Sequence, residues 1–260
     1  MTINNNSKNR FLEVALGAAK AARAVILSYY NGKFDVEIKA DQTPVTVADR
    51  HAERSIRKTL ADAFPQHGIF GEEYGQENKA VDYLWLVDPI DGTKSFVKRY
   101  GMFSTQIGLL HKGELILGVS CAPAMDELVW ATRGGGAFNQ QGQIHVSGVD
   151  SIEQASISTG NIQSLAAGEC WPALGSILAR ANRTRGYGDY YHYHRLAAGQ
   201  LDAVIESDVN ILDIAALAVI VTEAGGVFTD LEGQPIGLES TSVLAATPAL
   251  HKSLSTVFRG

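Results

Sequence analysis

Apolar residues recur at three-to-four spacing over 9–30, where Phe11, Val14, Ala15, Ala18, Ala22, Val25, Ile26 and Tyr29 predict one helix closed by Asn31-Gly32. Over 34–39 Phe, Val and Ile alternate with Asp, Glu and Lys, which predicts a strand with one wet face. A second helix is expected over 46–64, after the extended entry Pro44-Val45, with Pro65, His67 and Gly68 ending it. A short strand at 68–71, the acidic pair Glu72-Glu73, a polar loop and an apolar strand at 83–87 come next.

From 94 to 147 the pattern is β-rich. Segments 106–111 and 114–121 flank Lys112-Gly113 as a hairpin, and 128–132 and 136–138 continue the run between glycine-rich turns. A polar stretch near 148–154 sets a soft boundary between an N-terminal α+β half, 1–150, and a C-terminal α/β half, 151–260, of one compact unit. Beyond it, strands at 155–159, 184–187, 202–206, 226–229 and 242–246 alternate with helices at 171–181, 190–199, 212–224 and 247–258, a pattern that covers a sheet with helices.

Composition narrows the function. Twenty-two basic against 28 acidic residues give a net charge of −6, so no electrostatic footprint for nucleic acid is present. Small anions remain admissible, because a bound divalent metal reverses a local field. The polar start over 1–10 has no signal-peptide pattern, and the longest apolar run, 211–221, is interrupted by Asp213. A soluble, cytoplasmic protein with no membrane partner is expected, with Cys121 and Cys170 as reduced packing residues.

The segment Val87-Asp88-Pro89-Ile90-Asp91-Gly92-Thr93 carries the sharpest chemistry. An apolar strand runs into two aspartates three apart, and strand ends in α/β layers are where ligands bind. Carboxylates held this close repel unless a cation lies between them, and oxygen-only ligands suit Mg²⁺, Mn²⁺ or Ca²⁺. Gly92 permits a tight turn whose amides, with that of Thr93, can face an anion. Glu72 ends the preceding strand, so two strand ends are expected to deliver carboxylates to one edge. Asp49 in Thr46-Val47-Ala48-Asp49 and Asp213 at the head of an apolar helix each read, alone, as helix-capping carboxylates. The histidines show no zinc spacing; His192 and His194, two apart on a helix, point to different faces.

Taken in order, Thr-x-x-Asp, Gly-Glu-Glu, Asp-Pro-Ile-Asp-Gly-Thr and a late Asp before Glu223-Ala224-Gly225-Gly226 resemble the inositol monophosphatase superfamily over almost the whole chain. The resemblance implies an αβαβα layered sandwich of the inositol monophosphatase and fructose bisphosphatase type, Mg²⁺-dependent phosphate monoester hydrolysis with two to three ions per site (Mn²⁺ able to substitute), and a homodimer. It implies a first metal held by Glu72, Asp88 and the Ile90 carbonyl, and a second held by Asp88, Asp91 and Asp213. Glu72 also touches a third, looser ion in this reading. Thr93 and Asp49 orient and deprotonate the attacking water, and the Gly92 and Thr93 amides cradle phosphate. Paired ions can clamp an in-line displacement, which leaves the protein mainly to position and neutralise.

Lys94-Ser95 after Gly92-Thr93, and Gly188-Asp189-Tyr190-Tyr191-His192-Tyr193 with the segment after it, resemble the histidinol-phosphatase branch, which implies a step of histidine biosynthesis. Asp189 and Glu206 can pair with the amine of histidinol phosphate while Tyr190 flanks its ring. An inositol-1-phosphate or broad sugar-phosphate phosphatase is the alternative, and a non-catalytic binding protein ranks below it. Bisphosphate substrates also rank lower, for want of a second basic cluster. Ile211-Leu212 stands where many relatives carry an aromatic residue before the late Asp, which is expected to reshape the substrate pocket.

Overall fold

A computed structural model describes residues 5–32, 36–38, 44–77 and 81–259. The N-terminal elements are α1 (Asn5–Tyr30), β1 (Val36–Ile38), β2 (Pro44–Thr46), α2 (Val47–Ala63), β3 (Gly68–Gly71), β4 (Gly75–Glu77), β5 (Tyr83–Asp91) and α3 (Thr93–Val97). A meander follows: β6 (Ser104–His111), β7 (Glu114–Ala122), β8 (Glu127–Thr132), β9 (Gly136–Asn139) and β10 (Gly142–Ile144). The rest alternates as β11 (Ser156–Gly160), α4 (Ile162–Ala167), α5 (Trp171–Arg180), β12 (Arg183–Arg185), α6 (Asp189–Ala197), β13 (Ala203–Ser207), α7 (Ile211–Glu223), β14 (Val227–Thr229), β15 (Ser242–Ala246) and α8 (Pro248–Arg259). Of the strand expected at 34–39, only 36–38 fall within the described residues. The short elements β4, β10, α3 and α4 carry too few residues to show a period, so the sequence pattern does not mark them.

Five layers result. Helices α1 and α2 cover one face of an eight-stranded sheet, in order β10-β9-β8-β7-β6-β5-β3-β4. Its other face packs on α6 and α7, which in turn meet a five-stranded sheet ordered β12-β11-β13-β15-β14. Helices α4, α5 and α8 close the far side. Strand alternation sorts the side chains. On β5, Trp85 and Val87 join the α1/α2 core and Leu86 the middle layer; on β13, Ala203 and Ile205 face α5 and α8 while Val204 faces the middle.

Helix α7 is apolar all round because it lies between two sheets. Gly108 and Gly118, directly paired across β6 and β7, make the groove it occupies. A Cβ on Gly118 would lie 2.2 Å from the Ala216 carbonyl oxygen, and one on Gly108 3.1 Å from the Ala215 Cβ. Backbone cannot swing aside as a side chain can, so Gly118→Ala is expected to cost about 2 kcal/mol, read as a lower urea midpoint with unchanged m-value.

Cys121 is buried, Cys170 half-buried, and neither is in a disulfide. Among the described residues no helix is long and apolar enough to cross a membrane.

Candidate active site

Strand β5 does not stop at Val87, as its apolar run suggested; it continues through Asp91. Asp88 pairs with Gln106 of β6 and Asp91 with Ser104, so three steps on β5 oppose two on its partner. That extra residue is a β-bulge, the place where a sheet interior tolerates Pro89. The Pro89 carbonyl accepts the Thr105 hydroxyl at 2.8 Å. Residues three apart on a regular strand face opposite ways; the bulge resets the parity and turns both carboxylates to the middle layer. The Ile90 amide donates to Asp88 Oδ1 at 2.9 Å and steadies the turn. Beside it β3 runs parallel to β5, with Gly71 opposite Val87, so Glu72 emerges next to Asp88.

Two helix starts complete the site, and both use one device. Thr46 caps α2: Asp49, three residues on, accepts the Thr46 amide at 2.8 Å and its hydroxyl at 2.6 Å. Asn210 caps α7: Asp213 accepts the Asn210 amide and side-chain nitrogen at 2.9 Å each. These capping boxes fix two carboxylates at helix N-termini, where the dipole favours negative charge. The capping reading of Asp49 and Asp213 and the site reading therefore hold together. The Thr93 hydroxyl lies 3.0 Å from the Ile90 carbonyl oxygen and 3.4 Å from Asp49 Oδ1. Gly92, at φ 84°, precedes α3, and a Cβ there would meet the Met102 carbonyl oxygen at 2.8 Å.

Asp88, Asp91 and Asp213 each offer an oxygen within 4.8 Å of the others. Burial pushes the Asp88 and Asp91 carboxyls well above the usual range; the Glu72 charge adds to this at Asp88, and Asp189 at Asp91. Burial likewise pushes Asp213 up to about 6 and raises Asp49. Crowded, buried, oxygen-only donors whose mutual repulsion one cation would relieve fit a hard divalent ion of the Mg²⁺ type and not zinc.

A cleft of about 380 Å³ opens over this cluster. Asp189, Glu206 and Asp208 line it with Glu72, Asp88, Asp91 and Asp213, against one lysine, Lys94. Burial and the Glu206 charge push Asp189 up to about 6. Glu206 is buried and accepts the Tyr193 hydroxyl at 2.6 Å. Tyr190 takes a different place from the one expected. It is fully buried, edge-on to His194 with ring centroids 4.8 Å apart, and does not line the cleft, whereas Tyr193 does. Helical geometry explains the exchange: Tyr193 is four residues beyond Asp189 and shares its face, while Tyr190 is one residue on and turns away. Ile211 and Leu212, expected to reshape the pocket, are buried in the middle core and lie off the cleft wall. His192 and His194 diverge, to Glu206 and to Glu127.

The sequence reading missed Glu53. Fully buried, it accepts the Glu73 amide at 2.7 Å, the Tyr74 amide at 3.3 Å and Arg57 Nε at 2.7 Å, so it ties down the turn that presents Glu72. A Cβ on Gly71 would lie 2.1 Å from its carboxylate. The available signal was its spacing, four residues after Asp49 on the same helix.

A profile of the inositol monophosphatase family matches residues 7–259. A histidinol-phosphatase of Mycobacterium tuberculosis is 36% identical over 252 residues, 94% of this chain and 96% of the relative. An inositol monophosphatase of Dictyostelium discoideum is 33% identical over 263 residues, 97% of this chain and 96% of the relative. Among solved structures, the extragenic suppressor protein suhB of Bartonella henselae superposes with a TM-score of 0.88 at 29% identity, covering 96% of this chain and 98% of that one.

Proposed function

The chain belongs to the inositol monophosphatase family and is a phosphoric monoester hydrolase, and from that premise we propose that it is a Mg²⁺-dependent histidinol-phosphate phosphatase. The observation that carries the substrate is the acidic wall beyond the metal cluster: Asp189 and Glu206 share the cleft of Asp88, Asp91 and Asp213 with a single lysine. That wall suits an alcohol bearing an ammonium group, and Tyr193, in place of Tyr190, lines the cleft with its hydroxyl on Glu206.

Glu72, Asp88, Asp91, Asp213 and the Ile90 carbonyl would hold the ions. When bound, Mg²⁺ supplies Lewis acidity and positive charge, which acidify water and neutralise the phosphate. Asp49 and Thr93 do the proton work. Asp49, raised by burial, is a better base than an exposed aspartate, and the Thr93 hydroxyl, 3.4 Å away, relays or orients the proton of the attacking water. The Gly92 and Thr93 amides, at the N-cap and first position of α3, bind phosphate oxygens. Halves 1–150 and 151–260 act as one unit in this reading, because α7 from the second packs on β6 and β7 of the first. A cytoplasmic homodimer completes the proposal.

Inositol 1-phosphate is the alternative substrate, favoured by the similarity to a named inositol monophosphatase. A panel of histidinol phosphate, inositol 1-phosphate and fructose 1,6-bisphosphate with Mg²⁺ decides between them. Histidinol phosphate is expected to give the highest kcat/KM. Asp189→Ala should lower it about tenfold or more for histidinol phosphate, the worth of a hydrogen bond to a charged group, and leave inositol 1-phosphate within about threefold. Equal losses on both esters remove the amine-recognition argument.

A further inference from the structure

Behind Asp91, away from the cleft, a line of buried polar side chains crosses the eight-stranded sheet. Gln106 sits in register with Ser120 of β7, and Ser104 is two residues earlier on β6, so all three share the middle-layer face. Gln106 Nε2 lies 2.7 Å from Ser104 Oγ and 3.0 Å from Ser120 Oγ. Ser104 Oγ lies 3.1 Å from Asp91 Oδ2. At the other end Ser120 Oγ lies 2.7 Å from His194 Nε2, and His194 Nδ1 lies 3.1 Å from Glu127 Oε2. The mechanism above uses neither Gln106, Ser120 nor His194.

The directions of these hydrogen bonds are forced. Glu127, kept ionised by its contacts with His194 and Arg195, only accepts, so His194 carries its hydrogen on Nδ1. Burial lowers the pKa of His194 and favours the neutral ring, so Nε2 is bare and accepts the Ser120 hydroxyl. Ser120 has spent its one hydrogen and must receive an amide hydrogen from Gln106. The second hydrogen on that same nitrogen goes to Ser104, whose own hydrogen is left for Asp91. The buried Gln106 Oε1 finds no partner, the mark of a side chain held for its two N–H groups.

We propose that Gln106 is a positioning residue of the metal site, which by donating to Ser104 and Ser120 together compels the Ser104 hydroxyl to point at Asp91 Oδ2 and so leaves Oδ1 to face the cation. This rests on the reading of Asp91 as a metal ligand. Without Gln106 the Ser104 hydroxyl is free to turn, and Asp91 loses the contact that fixes its carboxylate plane.

The test is Mn²⁺ titration of the full-length protein without substrate, with free ion read by electron paramagnetic resonance. Gln106→Met keeps the length of the side chain and removes both donors; Ser104→Ala removes the last link and is small enough to fold if the first variant does not. Each is expected to weaken Mn²⁺ binding about tenfold, the lower end for outer-shell partners of a metal ligand. The double variant should bind no more weakly than Ser104→Ala alone, because the two act in series. Gln106→Met binding Mn²⁺ within twofold of the unsubstituted protein, or losses that multiply in the double variant, overturn the proposal. Absence of Mn²⁺ uptake by the unsubstituted protein overturns the metal-site reading itself, and the proposal with it.

Discussion

Asp88→Asn is expected to abolish phosphate release, by at least about a thousandfold or 4 kcal/mol, while raising the melting temperature of the metal-free protein. The two effects have one cause. Asp88 is buried beside Glu72, Asp91 and Asp213, and each of those charges works against its ionisation. An amide of the same shape keeps an oxygen for the Ile90 amide, removes a charge from the crowd and adds two donors toward neighbouring carboxylates. The fold is relieved and the cation loses the ligand assigned to both ions. Release assays with saturating Mg²⁺ and melting curves in chelator read the two halves separately. Near-normal turnover in this variant contradicts the assignment of Asp88 to the metals.

Stabilisation by Mg²⁺ should grow steeply between pH 5 and pH 8. Burial pushes Asp189 and Asp213 up to about 6 and raises Asp88 and Asp91 well above the usual carboxylate range, so all four are raised in the folded protein relative to the unfolded chain. A raised carboxyl contributes stability that is fully present below the unfolded pKa of 3.8 and is lost as pH rises through the folded value. As pH rises from 5 to 8, through the folded value of about 6 at Asp189 and Asp213, fewer protons compete with the cation for the cluster. With Mg²⁺ at a hundred times its Kd the gain is about 2.7 kcal/mol, a rise of about 5–10 °C for a chain of this size. Paired melting curves with Mg²⁺ and with chelator across that range check it; a shift independent of pH speaks against a carboxylate site.

How much of this was legible beforehand varied with the range of the interaction. The long helices announced themselves, since α1 and α2 repeat their apolar residues every turn and α7 is apolar on every side. Asp88 and Asp91 stood out because proline and glycine punctuate an apolar run. The bulge that aims them did not, because it exists only in the register of β5 against β6. Residue type does not separate Tyr190 from Tyr193; only helical spacing from Asp189 favours Tyr193. Gln106 and His194 stayed invisible for a plainer reason: 74 residues separate Ser120 from His194, and only the packing of α6 on the sheet brings them together.

The doubled duty of Asp49 and Asp213 bears on how inactive forms of this enzyme should be made. Each is simultaneously the stitch that starts a helix, so truncating either unravels a helix end together with the chemistry. Thr93 has no such anchoring role, because α3 is capped by Gly92 without any side chain. Substrate-trapping variants for crystallography are therefore better built at Thr93, where silence can be imposed without loosening the scaffold or removing a carboxylate that holds the ions.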